Sequence, residues 1–172
     1  MSAAAQAPRA EPLGNQHQRT DFLCGKEALD QYFQMQITQD ARRRLASPFV
    51  MVMPGGRISG YYTLASTAIR LHDLPEDVAR RLPRYPLVPA TLIGRLALDQ
   101  RYHGQGWGSF LLLDALHRCT MSEIASFAVI VDALDDEART FYLFYLHQSF
   151  LPLPDSAQRL FRRMSDIEAL FR

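Results

Sequence analysis

The sequence lacks the features that would indicate a membrane protein or a secreted, disulfide-bonded one. Its 172 residues contain no run of about 18 consecutive apolar residues, so no membrane span is predicted. The only two cysteines, Cys24 and Cys119, are far apart, which is unlike a disulfide framework, and neither lies in a metal-ligand cluster. We therefore expect a cytoplasmic protein without a metal site.

Lysine is almost absent. Lys26 is the only one, so arginine supplies nearly all the positive charge of a chain whose net charge is +1. The arginines cluster at 42–44, at 80, 81 and 84, and at 162–163. A solvated surface would explain any single cluster. Three clusters in a near-neutral chain, with side chains whose planar fork suits phosphate, predict a local basic face for a polyanion.

The first dozen residues are rich in alanine and proline and contain no apolar segment. This composition predicts a loose N-terminal tail over residues 1–17 and is unlike a signal peptide. The rest of the chain shows no boundary or repeat, so residues 18–172 are expected to form a single domain.

Hydrophobic periodicity predicts alternating helices and strands. Apolar residues at helical spacing indicate an amphipathic helix over 25–44, and Pro54-Gly55-Gly56 indicates a hairpin turn. Further strands are predicted at 49–53, 58–69, 91–98, 127–134 and 159–164, and helices at 75–82, at 105–119 and from a cap at Asp135 or Asp136 to about His147. This order predicts an α/β or α+β fold with a parallel crossover between 91 and 134.

Glycines 104, 106 and 108 lie where a buried-type strand passes into a helix. Glycine lets backbone amides approach a phosphate closely, and a helix N-terminus adds partial positive charge. The loop lacks the full dinucleotide-binding spacing and the lysine of a nucleotide-binding P-loop. A phosphate or diphosphate site is favoured, with a connector that binds nothing as the alternative.

Arg101-x-x-Gly104-x-Gly106 resembles the signature of the GNAT superfamily of N-acetyltransferases. The likeness extends to the toxin branch, whose members acetylate the amino group of aminoacyl-tRNA, and covers roughly residues 18 to 165. Stretches that match this branch are 22–30, 60–64, 82–86, 94–99 and 135–142. The resemblance implies a GNAT fold: a mixed, mostly antiparallel sheet with a central parallel strand pair, flanked by helices.

The resemblance also implies which residues bind acetyl-CoA. Backbone groups of Leu96, Ala97 and Leu98 would bind the pantetheine arm, and one of their amides would stabilise the tetrahedral oxyanion. The pyrophosphate would be held by the loop and helix start, namely by Arg101, His103, Gly104, Gln105, Gly106, Trp107, Gly108 and Ser109.

Family members carry a Phe-Tyr pair on the helix after the second parallel strand, and the tyrosine can protonate the departing thiolate. This chain has an apparent three-residue insertion, so the pair is Phe141-Tyr142 counted forward from Asp135, or Phe144-Tyr145 counted back from Phe150. Tyr142 is favoured because the helix start fixes its distance from the strand. Either ring could instead be core packing, and for Tyr145, the alternative, core packing is the favoured interpretation.

The predicted function is that of a toxin which acetylates the α-amine of aminoacyl-tRNA and so blocks translation. Arg42, Arg43, Arg80, Arg81 and Arg84 would contact tRNA phosphates. The family further implies a ribbon-helix-helix antitoxin and a homodimer. Two alternatives remain open: an acetyltransferase acting on a protein or small amine, and a decayed binding module of a toxin–antitoxin complex.

Overall fold

The computed structural model describes residues 7–144 and 150–172. Within them a mixed sheet has the strand order β1-β2-β3-β4-β5-β7-β6. Strand β4 pairs in parallel with β5, with Ala90 opposite Ala128, whereas β1–β2, β2–β3, β5–β7 and β6–β7 are antiparallel. The strands are β1 Arg9–Pro12, β2 Ser47–Val52, β3 Ile58–Arg70, β4 Leu87–Leu98, β5 Ala128–Asp132, β6 Leu151–Pro152 and β7 Arg159–Arg163. The predicted fold class and parallel crossover are confirmed.

The helices occupy the predicted segments, with one addition at the C-terminus. They are α1 Glu27–Gln31, a π-helical segment Tyr32–Gln36, α2 Ile37–Arg42, α3 Glu76–Ala79, α4 Trp107–Thr120, α5 Asp136–Phe144 and α6 Met164–Ala169. Short 3-10 helices cover Leu71–Asp73 and Gln100–Tyr102. Asp135, one of the two predicted caps, accepts from the amide of Ala138 at 2.9 Å.

The chain divides into two compact units. The first comprises residues 1–64 and 94–115, and the second residues 65–93 and 116–172. An aromatic cluster forms the centre of the first unit, where the rings of Phe33 and Tyr61 stack at 4.4 Å and Phe22 lies 4.8 Å from Phe33. The second unit has a core in which Ile130 of β5 and Phe161 of β7 are fully buried.

The predicted amphipathic helix is present, but it changes hydrogen-bonding pattern in its middle. The π-helical segment buries Tyr32 and Phe33. The carbonyl of Phe33 accepts from the Arg19 guanidinium at 2.9 Å, and Gln34 donates to the carbonyl of Arg19. Arg19, which precedes the helix, therefore hydrogen-bonds through its side chain and its backbone to the π-helical segment, where the regular pattern of helical hydrogen bonds is interrupted.

Residues 9–12 correct one expectation, because they form strand β1 although a loose tail was predicted over 1–17. Arg9 lies opposite Val52 and Pro12 opposite Phe49. Strand β1 lies at the edge of the sheet, where backbone hydrogen bonds form the pairing and proline is tolerated. Such a strand does not need alternating apolar residues, so the sequence pattern did not reveal it. The turn that follows is fixed by His17, which bonds to Glu11 at 2.7 Å and accepts from the Gly14 amide at 2.9 Å.

Candidate active site

The end of β4 is the part of the first unit where the predicted acetyl-CoA contacts lie. Ala97 is buried, and Leu96 and Leu98 are partly exposed. A Cβ at Gly60 of β3 would lie 2.9 Å from Leu111 Cδ2 and 3.1 Å from the carbonyl oxygen of Ala97. Only glycine lets β3 approach this closely, so Gly60 helps to fix the position of the strand predicted to bind pantetheine.

Asp99, directly after β4, fixes the start of the glycine loop. Its buried carboxylate accepts from the amides of Leu23 at 3.1 Å and Arg101 at 2.9 Å, and from Nε and NH2 of Arg101, both at 2.9 Å. Burial alone would raise the pKa of Asp99, but these hydrogen bonds outweigh it and hold the pKa below its usual value. Asp99 therefore acts as a charged anchor.

Arg101 was predicted to bind the cofactor, but in the structure much of its guanidinium is used within the protein. Besides the bidentate pair with Asp99, NH2 donates to the carbonyl of Asp21 at 3.0 Å, and NH1 lies 3.7 Å from the Asp21 carboxylate. Hydrogen bonding to Asp99 raises the Arg101 pKa. The side chain ties the loop to the segment before α1, and a direct phosphate contact stays a prediction.

The loop itself has the backbone shape that the glycine pattern predicts. Gly104 and Gly106 have φ values of 77° and 86°, a region in which other residues are strained, and a Cβ at either position would point into open space. The His103 ring bonds through Nε2 to the carbonyl of Leu98 at 2.7 Å. The loop is thus closed back onto the end of β4.

Helix α4 begins at Trp107, directly after the loop. The first amides of a helix have no carbonyl partner within the helix and carry partial positive charge. The rings of Trp107 and Phe110 form an edge-to-face pair at 5.8 Å, and Phe110 is exposed. The predicted contacts Gln105, Gly108 and Ser109 belong to the same loop and first turn, so the structure brings the predicted pyrophosphate-binding residues together.

Arg95 of β4, directly before the predicted pantetheine-binding residues, makes contacts that sequence reasoning missed. Its Cζ lies 3.5 Å from the centroid of the Tyr32 ring, and Tyr32 donates through its hydroxyl to Asp40 at 2.8 Å. Burial and the hydrogen bond to Asp40 raise the pKa of Tyr32 to about 12, although Arg95 opposes this shift. The Arg95 amide donates to Oγ1 of Thr63 at 3.2 Å. These contacts join residues far apart in the sequence, so no local motif could reveal them.

Tyr142, the favoured catalytic residue, lies on α5 in the second unit. It is buried, and its ring packs edge-on against Phe141 at 5.4 Å and Phe150 at 5.6 Å. Burial raises the pKa of its hydroxyl, so the group stays protonated at neutral pH. The alternative, Tyr145, lies outside the described residues.

The arginines predicted to contact tRNA are all at least partly exposed. Arg42 and Arg43 lie at the end of α2, and Arg80, Arg81 and Arg84 follow α3. Arg80 has a carboxylate partner, Glu76, at 3.3 Å. Since both side chains of this pair are largely in solvent, it leaves Arg80 available to a polyanion.

Within residues 7–144 and 150–172, no group of three His, Cys, Asp or Glu side chains could hold a metal ion. No helix in the same residues is long and apolar enough to cross a membrane. Burial raises the pKa of Cys24 to about 11 and that of Cys119 to about 12, so both thiols favour the protonated form at neutral pH.

No family model matches the chain, but curated relatives do. It is 37% identical over 153 residues to the tRNA-acetylating toxin of Mycobacterium tuberculosis, covering 88% of this chain and 89% of the toxin. It is 33% identical over 168 residues to the probable toxin TacT of Sinorhizobium fredii, covering 93% of each.

Solved structures of toxins have the same fold as this chain. A tyrosine-to-phenylalanine variant of KacT superposes with a TM-score of 0.88 at 27% identity, over 96% of this chain and 100% of KacT. AtaT complexed with acetyl-methionyl-tRNAfMet gives 0.85 at 28% identity, over 96% and 99%. An AtaT variant bound to the C-terminus of the antitoxin AtaR and to acetyl-CoA gives 0.79 at 25% identity, over 96% and 99%.

The mixed sheet with its parallel β4–β5 pair, the glycine loop after β4 and the helix that follows it define a GNAT-type, acetyl-CoA-dependent acetyltransferase. Extensive similarity to curated relatives narrows this class. The chain belongs to the family of tRNA-acetylating toxins.

Proposed function

We propose that this chain moves the acetyl group of acetyl-CoA to the α-amine of an aminoacyl-tRNA and so stops that amine from acting as a peptide acceptor. The observation that carries the proposal is its similarity, over most of its length, to a tRNA-acetylating toxin. AtaT, which shares the fold, has been solved with acetyl-methionyl-tRNAfMet, the product of such a reaction.

The loop after β4 supports the acetyl-CoA half of the proposal. Gly104 and Gly106 leave open space where other residues carry a Cβ, so a pyrophosphate can approach the backbone closely. The amides at the start of α4 supply donors and partial positive charge for an anion. Asp99 and His103 hold this loop against the end of β4, so the proposed site is formed before the ligand binds.

The proposed reaction needs few protein groups. The neutral α-amine attacks the thioester carbon and forms a C–N bond, and a backbone amide of Leu96–Leu98 stabilises the oxyanion. The C–S bond then breaks, the ammonium loses its proton, and the departing thiolate takes one up. Because the α-amine of an aminoacyl ester has a low pKa among amines, it needs little help from a general base.

We propose Tyr142 as the group that donates to the departing thiolate. A tyrosine hydroxyl is protonated at neutral pH, so it can donate to the departing sulfur, and the proton lost by the ammonium restores it. Tyr145 is the alternative donor. That relatives were solved as tyrosine-to-phenylalanine variants supports a tyrosine in this role.

Exposed arginines are proposed to bind the tRNA backbone. Arg42 and Arg43 would do so from the end of α2, and Arg80, Arg81 and Arg84 from the segment after α3. Lysine is nearly absent, so phosphate binding falls to arginine, whose fork matches phosphate oxygens. Binding should weaken steeply as salt rises, because each neutralised phosphate releases counterions.

Antitoxin neutralisation is proposed by analogy with AtaT, which has been solved with the C-terminus of its antitoxin. The finer parts of this proposal are a ribbon-helix-helix antitoxin, a homodimeric toxin and action in the cytoplasm, where charged tRNA is used.

The test is transfer of label from radiolabelled acetyl-CoA to purified charged tRNA, with the same tRNA deacylated as control. The proposal predicts label on charged tRNA and none on the deacylated form. Label on neither, together with acetylation of a protein or small amine by the same preparation, would refute the assigned substrate.

A further inference from the structure

A groove of about 700 Å³ lies in the second unit, between the 3-10 helix Leu71–Asp73, α3 and the start of β4. Its volume falls within the range of about 300–1,000 Å³ that is usual for small-ligand sites. Apolar and cationic side chains share its lining, which includes Arg70, Leu71, Arg80, Leu82, Arg84 and Tyr85. It is therefore suited to a ligand with both an apolar and an anionic part.

The apolar part of the groove includes an unusually exposed aromatic ring. Tyr85 is 68% exposed, although most tyrosines of the first unit are buried. Leu71 and Leu82, which also line the groove, pack against the core of the second unit and form a firm base. A large ring displayed beside apolar side chains offers a surface on which a flat ligand can stack.

The segment that displays Tyr85 is held in one conformation. The Tyr85 amide donates to the carbonyl of Pro83 at 2.8 Å, a tight γ-turn, and the Leu71 amide donates to the carbonyl of Pro86 at 3.1 Å. Proline also restricts the backbone on both sides of Arg84-Tyr85. The backbone that presents Arg84 and Tyr85 is therefore restrained before a ligand binds, which lowers the backbone entropy lost on binding.

The charge of the groove is positive. Arg70 and Arg84 have no carboxylate within ion-pair distance in the part of the chain that the structure describes, and Arg80 is only weakly paired with Glu76 in solvent. Among the lining residues Glu76 is the only acid, against three arginines. An anion is the complementary ligand.

We propose that this groove binds one unpaired RNA nucleotide, with the base stacked on Tyr85 and the phosphate held by Arg84 and Arg70. An exposed ring next to arginines is the usual combination for single-stranded RNA, because every base has a face to stack and every linkage a charge to pair. The inference rests on the proposed function, since tRNA would supply the nucleotide. It adds Tyr85 and Arg70 to the arginines already proposed to contact tRNA.

The experiment measures binding of a fluorescent single-stranded oligoribonucleotide to the full chain, with an RNA duplex of the same length as competitor. Tyr85→Ala removes the ring, Tyr85→Phe keeps stacking, and Arg84→Ala removes one charge. Arg172→Ala, which removes an exposed arginine outside the groove, is the matched control. Thermal unfolding midpoints verify that every variant is folded.

Tyr85→Ala should raise the Kd for the single strand about 5- to 30-fold, since stacking on a side chain is worth about 1–2 kcal/mol at an exposed site. Tyr85→Phe should stay within about 2-fold of wild type. Arg84→Ala should weaken binding and lower the slope of log Kd against log salt, and Arg172→Ala should do neither.

An unchanged Kd for Tyr85→Ala would overturn the inference, as would a preference for the duplex. Binding of an octaglutamate peptide with the same dependence on Tyr85, in place of RNA, would overturn it in favour of an acidic protein partner. Acetylation of charged tRNA is scored separately. If wild type acetylates charged tRNA while Tyr85→Ala binds RNA normally, the groove assignment fails and the proposed function stands. If no charged tRNA is acetylated while Tyr85→Ala weakens RNA binding, only the proposed function is refuted.

Discussion

Replacing Asp99 by asparagine tests whether a buried charge holds the glycine loop in place. The substitution keeps the shape of the side chain but removes its charge and one acceptor oxygen. The amides of Leu23 and Arg101 donate to different oxygens of the carboxylate, so asparagine can satisfy only one of them, and its NH2 group faces the other donor.

The expected loss is worked from these two amides. A hydrogen bond to a charged group contributes about 1.5–3 kcal/mol, and a neutral one about 1 kcal/mol. Losing one and weakening the other costs about 2–5 kcal/mol, before any change in the ion pair between buried Asp99 and partly exposed Arg101. For a chain of this length, that lowers Tm by about 4–20 °C.

The pH dependence of stability gives a second, independent signature. The folded-state pKa of Asp99 lies below its unfolded value. Its contribution is therefore present above the unfolded pKa of about 3.9 and is lost as pH falls through the lower folded pKa. The stability gap between wild type and Asp99→Asn should be constant near neutral pH and should shrink in acid.

The assay is urea unfolding from pH 7 to pH 3, with the Kd for CoA measured on the same samples at neutral pH. Glu123→Gln, which removes an exposed loop carboxylate, is the control and should change neither quantity. We expect Asp99→Asn to bind CoA more weakly, because the loop is less ordered. Wild-type stability at pH 7, or a gap that grows in acid, would refute the anchoring role.

Three further substitutions test the site. Gly106→Ala forces alanine to a φ of 86° and adds a Cβ on the proposed ligand side. Calorimetry should therefore find weaker CoA binding, together with a loss of about 1 kcal/mol in the free energy of unfolding. Unchanged CoA binding would contradict the pyrophosphate assignment. Gly60→Ala places a Cβ 2.9 Å from Leu111, so chemical unfolding should show a loss of about 1–3 kcal/mol, and full stability would contradict the close approach. Tyr142→Phe should lower kcat with little effect on the KM for acetyl-CoA, whereas full activity would move the acid role to Tyr145.

The sequence was most informative where local pattern and structure coincide. Glycines 104 and 106 predicted a phosphate-type loop, and both have the positive φ that makes glycine necessary there. The apolar runs on either side correctly predicted β4, α4 and β5 as a parallel crossover. The signal is clearest in β5, which is buried on both faces and therefore forms a continuous hydrophobic stretch.

Contacts between residues far apart in the chain were not predictable from local pattern. In the sequence Asp99 is a single acidic residue after a predicted strand. Nothing in the local pattern indicates that its carboxylate accepts a hydrogen bond from the amide of Leu23, 76 positions earlier. The same holds for Arg95 and Tyr32, whose stacking depends on tertiary packing. Arg101 is the instructive case, since the motif predicts a phosphate ligand whereas the structure shows its guanidinium bonded to Asp99 and Asp21.

Strand β1 and the π-helical turn were missed for a different reason. Both depend on backbone hydrogen bonds, which most side chains permit. Residues 9–12 include a charged pair, Arg9 and Glu11, and a proline, so they carry no alternation. The π-helical segment has the same apolar spacing as a regular helix, and only the contacts of Phe33 and Gln34 with Arg19 distinguish it.

Mass spectrometry of the aminoacyl end of tRNA would show directly whether this chain acetylates the α-amine. Charged tRNA is incubated with the protein and acetyl-CoA, digested with nuclease, and the released aminoacyl-adenosine is fragmented. We predict a mass increase of one acetyl group, located on the α-amine, that appears only when enzyme and acetyl-CoA are both present. Unmodified aminoacyl-adenosine from every charged tRNA, or an acetyl group on the nucleoside, would contradict the proposed reaction.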